Sequence, residues 1–230
     1  MKKILPLLIP ISFIFVLFLH GKSQGDLPSS RVHYQEGDLK PTETQKKVER
    51  LVFGILSNYH YRKIAVNDSL SSKIYDAYLK ELDPNKVFFV ASDIEDLEKF
   101  RFTIDEQLSA GDLTSAFQIY NLYQTRYKER YAFIHAVLNK PFDFNADETY
   151  QPNREKAVWA KSAEELNDFW RKDIKRQFLD WKIGGKADTT AVREMKERYA
   201  RSEKYMARTK SEDVFQIFMN AYLYLLINKF

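Results

Sequence analysis

Apolar side chains recur at steps of three and four residues through most of this chain, the spacing that lines one face of a helix. The best-punctuated case is residues 162–185. Ser162, with Glu165 three positions later, forms a capping-box pattern, and Leu166, Phe169, Trp170, Ile174, Phe178 and Trp181 follow on one face. Asp168, Arg171, Lys172, Lys175, Arg176 and Asp180 take the rest of the circumference, and Gly184–Gly185 supplies a left-handed stop. A fully buried large apolar side chain contributes roughly 1.5–3 kcal/mol, so this aromatic face is expected to be the main receiving surface for the other helices.

The same period sets out the earlier elements. A helix opens at Thr42, with Gln45 reaching back, and carries Val48, Leu51, Val52, Ile55, Leu56 and Tyr59 as its buried stripe. Asn67 or Asp68 starts a second through Leu70, Ile74, Tyr75, Tyr78 and Leu79. Leu82, Asp83, Pro84 and Asn85 read as a tight turn in which Pro84 presets the first central torsion and Asp83 can bond the backbone beyond. Residues 87–90 are too short an apolar run for a helix and are predicted to be extended and buried. Ser92 with Glu95 predicts a third helix, with Ile94, Leu97, Phe100, Ile104 and Leu108 inward and Gly111 at its end. Asp112 caps the longest one, residues 113–138, where Phe117, Tyr120, Tyr123, Tyr127, Tyr131, Ile134 and Leu138 share a face. A tyrosine stripe suits a semi-exposed seam with wet hydroxyls or a core; core is the reading adopted.

Residues 139–161 form the one long irregular connection. Phe142, Phe144, Tyr150 and Trp159 predict that it packs across the helices, with a short strand at 142–144. Asp188 caps a highly charged helix, residues 189–209, whose stripe of Val192, Met195, Tyr199 and Met206 is weak, so it is expected to project or to lie on the surface. Ser211 opens a last helix, residues 212–228, apolar nearly all round; such a helix expects enclosure, and its cover is expected to be missing, with aggregation or self-association as the consequence. The whole reads as an all-α, irregular domain of about seven helices with one long aromatic-containing loop. Four stretches are expected: a signal peptide at 1–24, a disordered lead-in at 25–40, a helical domain at 41–185, and the charged helix with the apolar terminal helix at 186–230.

Composition agrees with a folded helical chain: 44% hydrophobic, 30% charged, 14 Tyr and 17 Phe, with only 7 Gly and 7 Pro for strand-and-turn architectures. Lys2 and Lys3, then an apolar run to Leu19, then Gly21 and Ser23, predict a secretory leader; a retained anchor is the alternative, disfavoured by Pro6 and Pro10. Without Lys2, Lys3 and Lys22 the formal charge of +4 falls to 33 basic against 32 acidic residues, so charge argues for no nucleic-acid partner, and for membrane contact only through an uncleaved leader. There is no cysteine, which excludes disulfides, a lipid-modified cysteine, thiol nucleophiles and cysteine-ligated metals.

Candidate chemistry is sparse. His20, His33, His60 and His135 are scattered without a second ligand at metal spacing, and His60 reads as a partner for a helix C-terminus or a packed ring. Glu164–Glu165 and Asp93–Glu95 sit in first helical turns, where capping explains them better than acid–base catalysis. Ser92, Ser162 and Ser211 are at helix starts, none in a Gly-x-Ser-x-Gly elbow, and there is no glycine-rich phosphate loop. Lys46–Lys47 and Arg171–Lys172 are too short for a nucleic-acid patch. No catalytic, cofactor-binding or metal-binding residue is assigned, and no cofactor is expected.

The order of segments carries more. Leu39-Lys40-Pro41-Thr42-Glu43, Tyr59-His60-Tyr61, Ile74-Tyr75 with Tyr78-Leu79, Leu82-Asp83-Pro84-Asn85, and Phe88 before Ala91-Ser92-Asp93-Ile94 come first. Gly111-Asp112-Leu113, Phe142-Asp143-Phe144 with Ala146-Asp147-Glu148, Phe169-Trp170-Arg171-Lys172, and Ser211-Glu212-Asp213-Val214-Phe215 with Phe218-Met219-Asn220-Ala221 continue the order. This set, from about residue 39 to 221, resembles the N-terminal region of the tail-specific (carboxy-terminal processing) proteases of the longer periplasmic type. The resemblance implies a helical scaffold ahead of a PDZ domain and a serine–lysine protease domain, in proteins that cleave substrates with apolar C-terminal tails. It implies periplasmic location and, as partners, protein substrates, accessory periplasmic proteins or the PDZ and protease domains themselves. No catalytic serine or lysine is transferred to this chain. Residues 222–230 depart from the family pattern, which makes a truncated, non-catalytic piece the first expectation. A stand-alone binding module or adaptor is the second, and a hydrolase with a site in the 139–161 loop the third.

Overall fold

Eight α-helices run through the described part of the chain: α1 Glu43–Tyr59, α2 Asp68–Leu82, α3 Ala91–Leu97, α4 Ile104–Ala110, α5 Thr114–Val137, α6 Ala163–Ile183, α7 Asp188–Met206 and α8 Ser211–Asn228. They are seen in a computed structural model that describes residues 35–59 and 65–228 and belong to one compact unit, Tyr34–Phe230. The all-α class is as the periodicity predicts. The leader, most of the lead-in, His20, His33, His60 and Phe230 lie outside the described residues. Among the described residues no helix is long and apolar enough to cross a membrane.

Several helix starts follow the capping chemistry written in the sequence. Thr42 Oγ accepts from the Gln45 amide while Gln45 Oε1 accepts from the Thr42 amide, a complete capping box for α1. Asn67 caps α2 through the Leu70 amide, and Asp112 accepts from both the amide and the hydroxyl of Thr114 ahead of α5. Gly111 closes α4 at φ 70°, where a Cβ would lie 2.9 Å from Arg50 Nε and 3.0 Å from the Lys46 carbonyl of α1. The close approach of α1 therefore requires glycine twice over, for its torsion and for its lack of side chain.

The third predicted helix is two. After α3 a 3-10 turn, Glu98–Phe100, and three further residues intervene before α4. Ser71 of α2 makes the break: its hydroxyl donates to the Arg101 carbonyl and accepts from the Ile104 amide, replacing bonds a continuous helix would make. The start of α3 also differs from the Ser92–Glu95 expectation. Val90 is the N-cap, and Asp93 at the third helical position accepts from its amide at 3.0 Å, leaving Ser92 exposed. A valine side chain cannot return the bond, so only half of a box exists.

The core is organised around α2, α5 and α8 rather than α6. The α5 stripe from Phe117 to Leu138 is buried throughout, Tyr residues included, and α5 packs against α6, α7 and α8. On α6 only Leu166, Ile174 and Phe178 of the predicted face are fully buried; Phe169, Trp170 and Trp181 are half-buried. The apolar α8 is covered by its own chain: α2, α5 and α1 enclose Val214, Phe218, Met219, Tyr222, Leu225 and Leu226. Phe218 meets Tyr78 of α2 edge-on at 5.3 Å, and the buried Tyr78 hydroxyl donates to the Ala116 carbonyl of α5. The weak stripe of α7 suffices to pack it on α5 and α6 through Ala191, Met195 and Tyr199.

Candidate functional site

The connection from α5 to α6 is a strap tied down at intervals. Phe142 and Phe144 pack on Phe178 of α6 at 5.4 and 5.8 Å, without the strand predicted there. The Tyr150 hydroxyl donates to Asp173 at 2.6 Å. Glu148 is held between Arg171 and Lys175, whose hydrogen bonds draw its carboxyl down to about 2. At the far end the one strand-like contact among the described residues is a parallel bridge between Val90 and Ala160, with the Ala91 amide donating to the Ala160 carbonyl at 2.8 Å. Trp170 reaches across from α6 to donate to the Val87 carbonyl.

Two acids hold the other side of this junction. Asp83, buried at the turn after α2, accepts from the amides of Val87, Phe88 and Phe89 at 2.8, 2.9 and 3.0 Å. Burial still pushes its carboxyl above the ordinary aspartate value, against those three donors. Asp93 receives the Arg126 guanidinium of α5 in a fork, at 2.6 and 2.9 Å, and that bond raises the arginine further into its charged range. With every oxygen turned to backbone or to a neighbouring helix, these carboxylates serve to position segments and have no open face for chemistry.

Beside the strap lies a groove of about 750 Å³ between residues 140–144, the end of α6 and the start of α7. Phe142, Phe144, Phe178 and Val192 give it an apolar floor. Its rim carries Lys140, Lys182, Arg193 and Lys196 against Asp188 and Glu197.

Helix α1 departs most from its predicted face. Leu51, Ile55 and Tyr59 are 48%, 49% and 83% exposed, whereas Gln45 and Glu49 are buried. The reason is what α1 packs against. Arg50 donates to the Ala110 carbonyl at 2.6 Å, and Ser211 of α8 shares its one hydroxyl proton between Gln45 Oε1 at 2.8 Å and the Lys40 carbonyl at 2.7 Å. These contacts turn the 45–49–52–56 face inward. Among the described residues neither carboxyl oxygen of Glu49 has a hydrogen-bond partner, and burial, with Arg50 opposing and Asp112 adding to it, pushes its carboxyl up to about 8.

The residues weighed in the sequence fall into structural places. Ser162 caps α6, accepting from the Glu165 amide at 3.4 Å, while Glu165 takes the Lys161 amide instead of closing the box on Ser162. Ser211 ties α8 to α1. His135 of α5 meets Glu203 of α7 at 2.6 Å. Lys46 pairs with Glu43, Arg171 with Glu148 and Asp168, and Lys172 with Asp168. Among the described residues no three His, Asp or Glu side chains come together in a metal-binding group. Sequence reasoning missed the inward Glu49, Asn121 and Arg130. Asn121 exchanges two 3.0 Å bonds with the Leu39 backbone, and Arg130 donates to Asn167 of α6. The available signal was positional, since Asn121 and Arg130 directly follow or precede stripe residues of α5.

The family model described as the tail specific protease N-terminal domain matches residues 52–226. A tail-specific protease of Haemophilus influenzae is 35% identical over 168 residues, covering 73% of this chain and 24% of that protein. The aligned stretch is thus about a quarter of that relative's length. This chain belongs to the family of tail-specific protease N-terminal domains.

Proposed function

We propose that this chain is the non-catalytic scaffold of a tail-specific periplasmic serine protease, forming part of the surface past which protein substrates with apolar C-terminal tails reach a serine–lysine site carried outside residues 35–228. The observation that carries the reading is the family match over 52–226, laid on a body whose buried acids Asp83 and Asp93 hold segments in place. Export by the leader belongs to the same proposal. The test is direct: the purified chain, incubated with an unfolded substrate ending in an apolar tail, leaves it intact. Robust cleavage that a single point mutation abolishes would overturn the scaffold reading. The second reading, a stand-alone periplasmic adaptor, is favoured by the basic-rimmed groove. A stoichiometric partner retained from periplasmic extract, together with no stimulation of a related protease, selects it.

A further inference from the structure

We propose that the groove between the strap, α6 and α7 is a docking site for an extended protein segment in which apolar side chains alternate with acidic ones. The floor is apolar and wide enough for several side chains: Phe142, Phe144 and Phe178 form a mutually packed aromatic set, and Val192 extends it onto α7. The rim is biased in charge, with four cations against two acids. Part of that charge is already engaged, because Lys182 pairs with Asp188 at 2.9 Å and Lys196 donates to Asn139 at 2.6 Å. Glu197 lies 3.9 Å from Arg201. Lys140 and Arg193 line the groove, both exposed, and neither is in a salt bridge among the described residues, although Arg193 acts electrostatically on the neighbouring Glu194.

The distribution of the cations selects the occupant. A single terminal carboxylate is best held by donors converging on one point, whereas here the positive groups stand on three elements, the strap, α6 and α7. Carboxylates spaced along a segment match that arrangement, with apolar residues between them meeting the floor. An amphipathic acidic segment of a partner protein therefore fits better than a bare apolar tail. The inference goes beyond the scaffold reading and does not depend on it, since a chain that never meets a protease would bind the same peptide.

Fluorescence anisotropy with the intact chain tests it. The probe is a labelled peptide of about twelve residues alternating Leu or Phe with Asp or Glu, with an amidated C-terminus. It is expected to bind saturably and more weakly as salt rises. Replacing its acids by lysine is expected to weaken binding by about tenfold or more. The double variant Lys140→Glu, Arg193→Glu, checked for an unchanged circular dichroism spectrum and melting temperature, is expected to lose the acidic peptide and to prefer the lysine one. Val192→Glu, which places charge on the floor, is expected to weaken both. Equal binding of acidic and basic peptides, an unchanged affinity in the double variant, or binding confined to a neutral apolar peptide with a free carboxylate would each overturn the proposal, as would no binding at all.

Discussion

Helices α8 and α1 lie side by side and treat their apolar residues in opposite ways. α8 has almost no polar face and buries Val214, Phe218, Met219, Tyr222, Leu225 and Leu226 along one side, leaving Phe215, Ile217 and Leu223 half-buried and Tyr224 outward. α1 carries a respectable apolar stripe, yet it turns Leu51, Ile55 and Tyr59 outward and takes Glu49 to full burial. The difference lies in the neighbours. α8 meets the wide apolar faces of α2 and α5, whereas α1 is seated by polar contacts at both flanks, Arg50 on the end of α4 and Gln45 on Ser211. Hydrophobic period announces a helix; the rotation of that helix is decided by whatever it must dock on.

Four substitutions sharpen this contrast. The largest effect is expected on the buried side of α8: Phe218→Ala leaves a cavity against Tyr78 and should cost about 3–5 kcal/mol in urea unfolding. Next, and opposite in sign, Glu49→Met should stabilise the chain by about 2–4 kcal/mol at pH 8. Glu49 keeps its proton in the folded chain up to about pH 8, while its ordinary value is 4.5, so the folded state loses stability as pH rises between those values and the loss is complete above them. A wild-type stability profile as flat as that of the variant over this window would show that Glu49 is not the source. A smaller loss, about 2–3 kcal/mol, is expected for Asp83→Ala, which strands three amides of the buried turn. Asp83 thus provides the counterpart of Glu49: a buried acid with three donors, set against one with none among the described residues. The smallest effect belongs to Ile55→Ser on the exposed side of α1, within about 0.5 kcal/mol by thermal or urea unfolding.

Much of the fold could be read directly from residue order. The caps Thr42, Asn67 and Ser162, the Asp83–Pro84 turn and the Gly111 stop are local chemistry, settled within a few positions of each other, and they stand where the sequence places them. What escaped is non-local. Ser71 splits the third helix from a distance of some thirty residues, an interaction that no window on residues 92–110 contains. The inward turn of Glu49 depends on Gly111 and Ser211, and the demotion of α6 depends on how broad a surface α5 presents to three other helices. The groove was half legible: Phe142 and Phe144 marked the loop as packed, but the cations from α6 and α7 that rim it meet only in three dimensions.

The fastening of the strap has a consequence for how the chain responds to a cut. Its early part is seated on Phe178, its middle on Asp173 and its late part on Val90, while Arg154 and Lys156 lie between the last two anchorages. A trypsin nick there severs one covalent link but frees neither end, because one stays fastened to α6 and the other to the extended segment ahead of α3. Two fragments should travel together through gel filtration and separate only in denaturant, so the molecule would survive as a noncovalent pair.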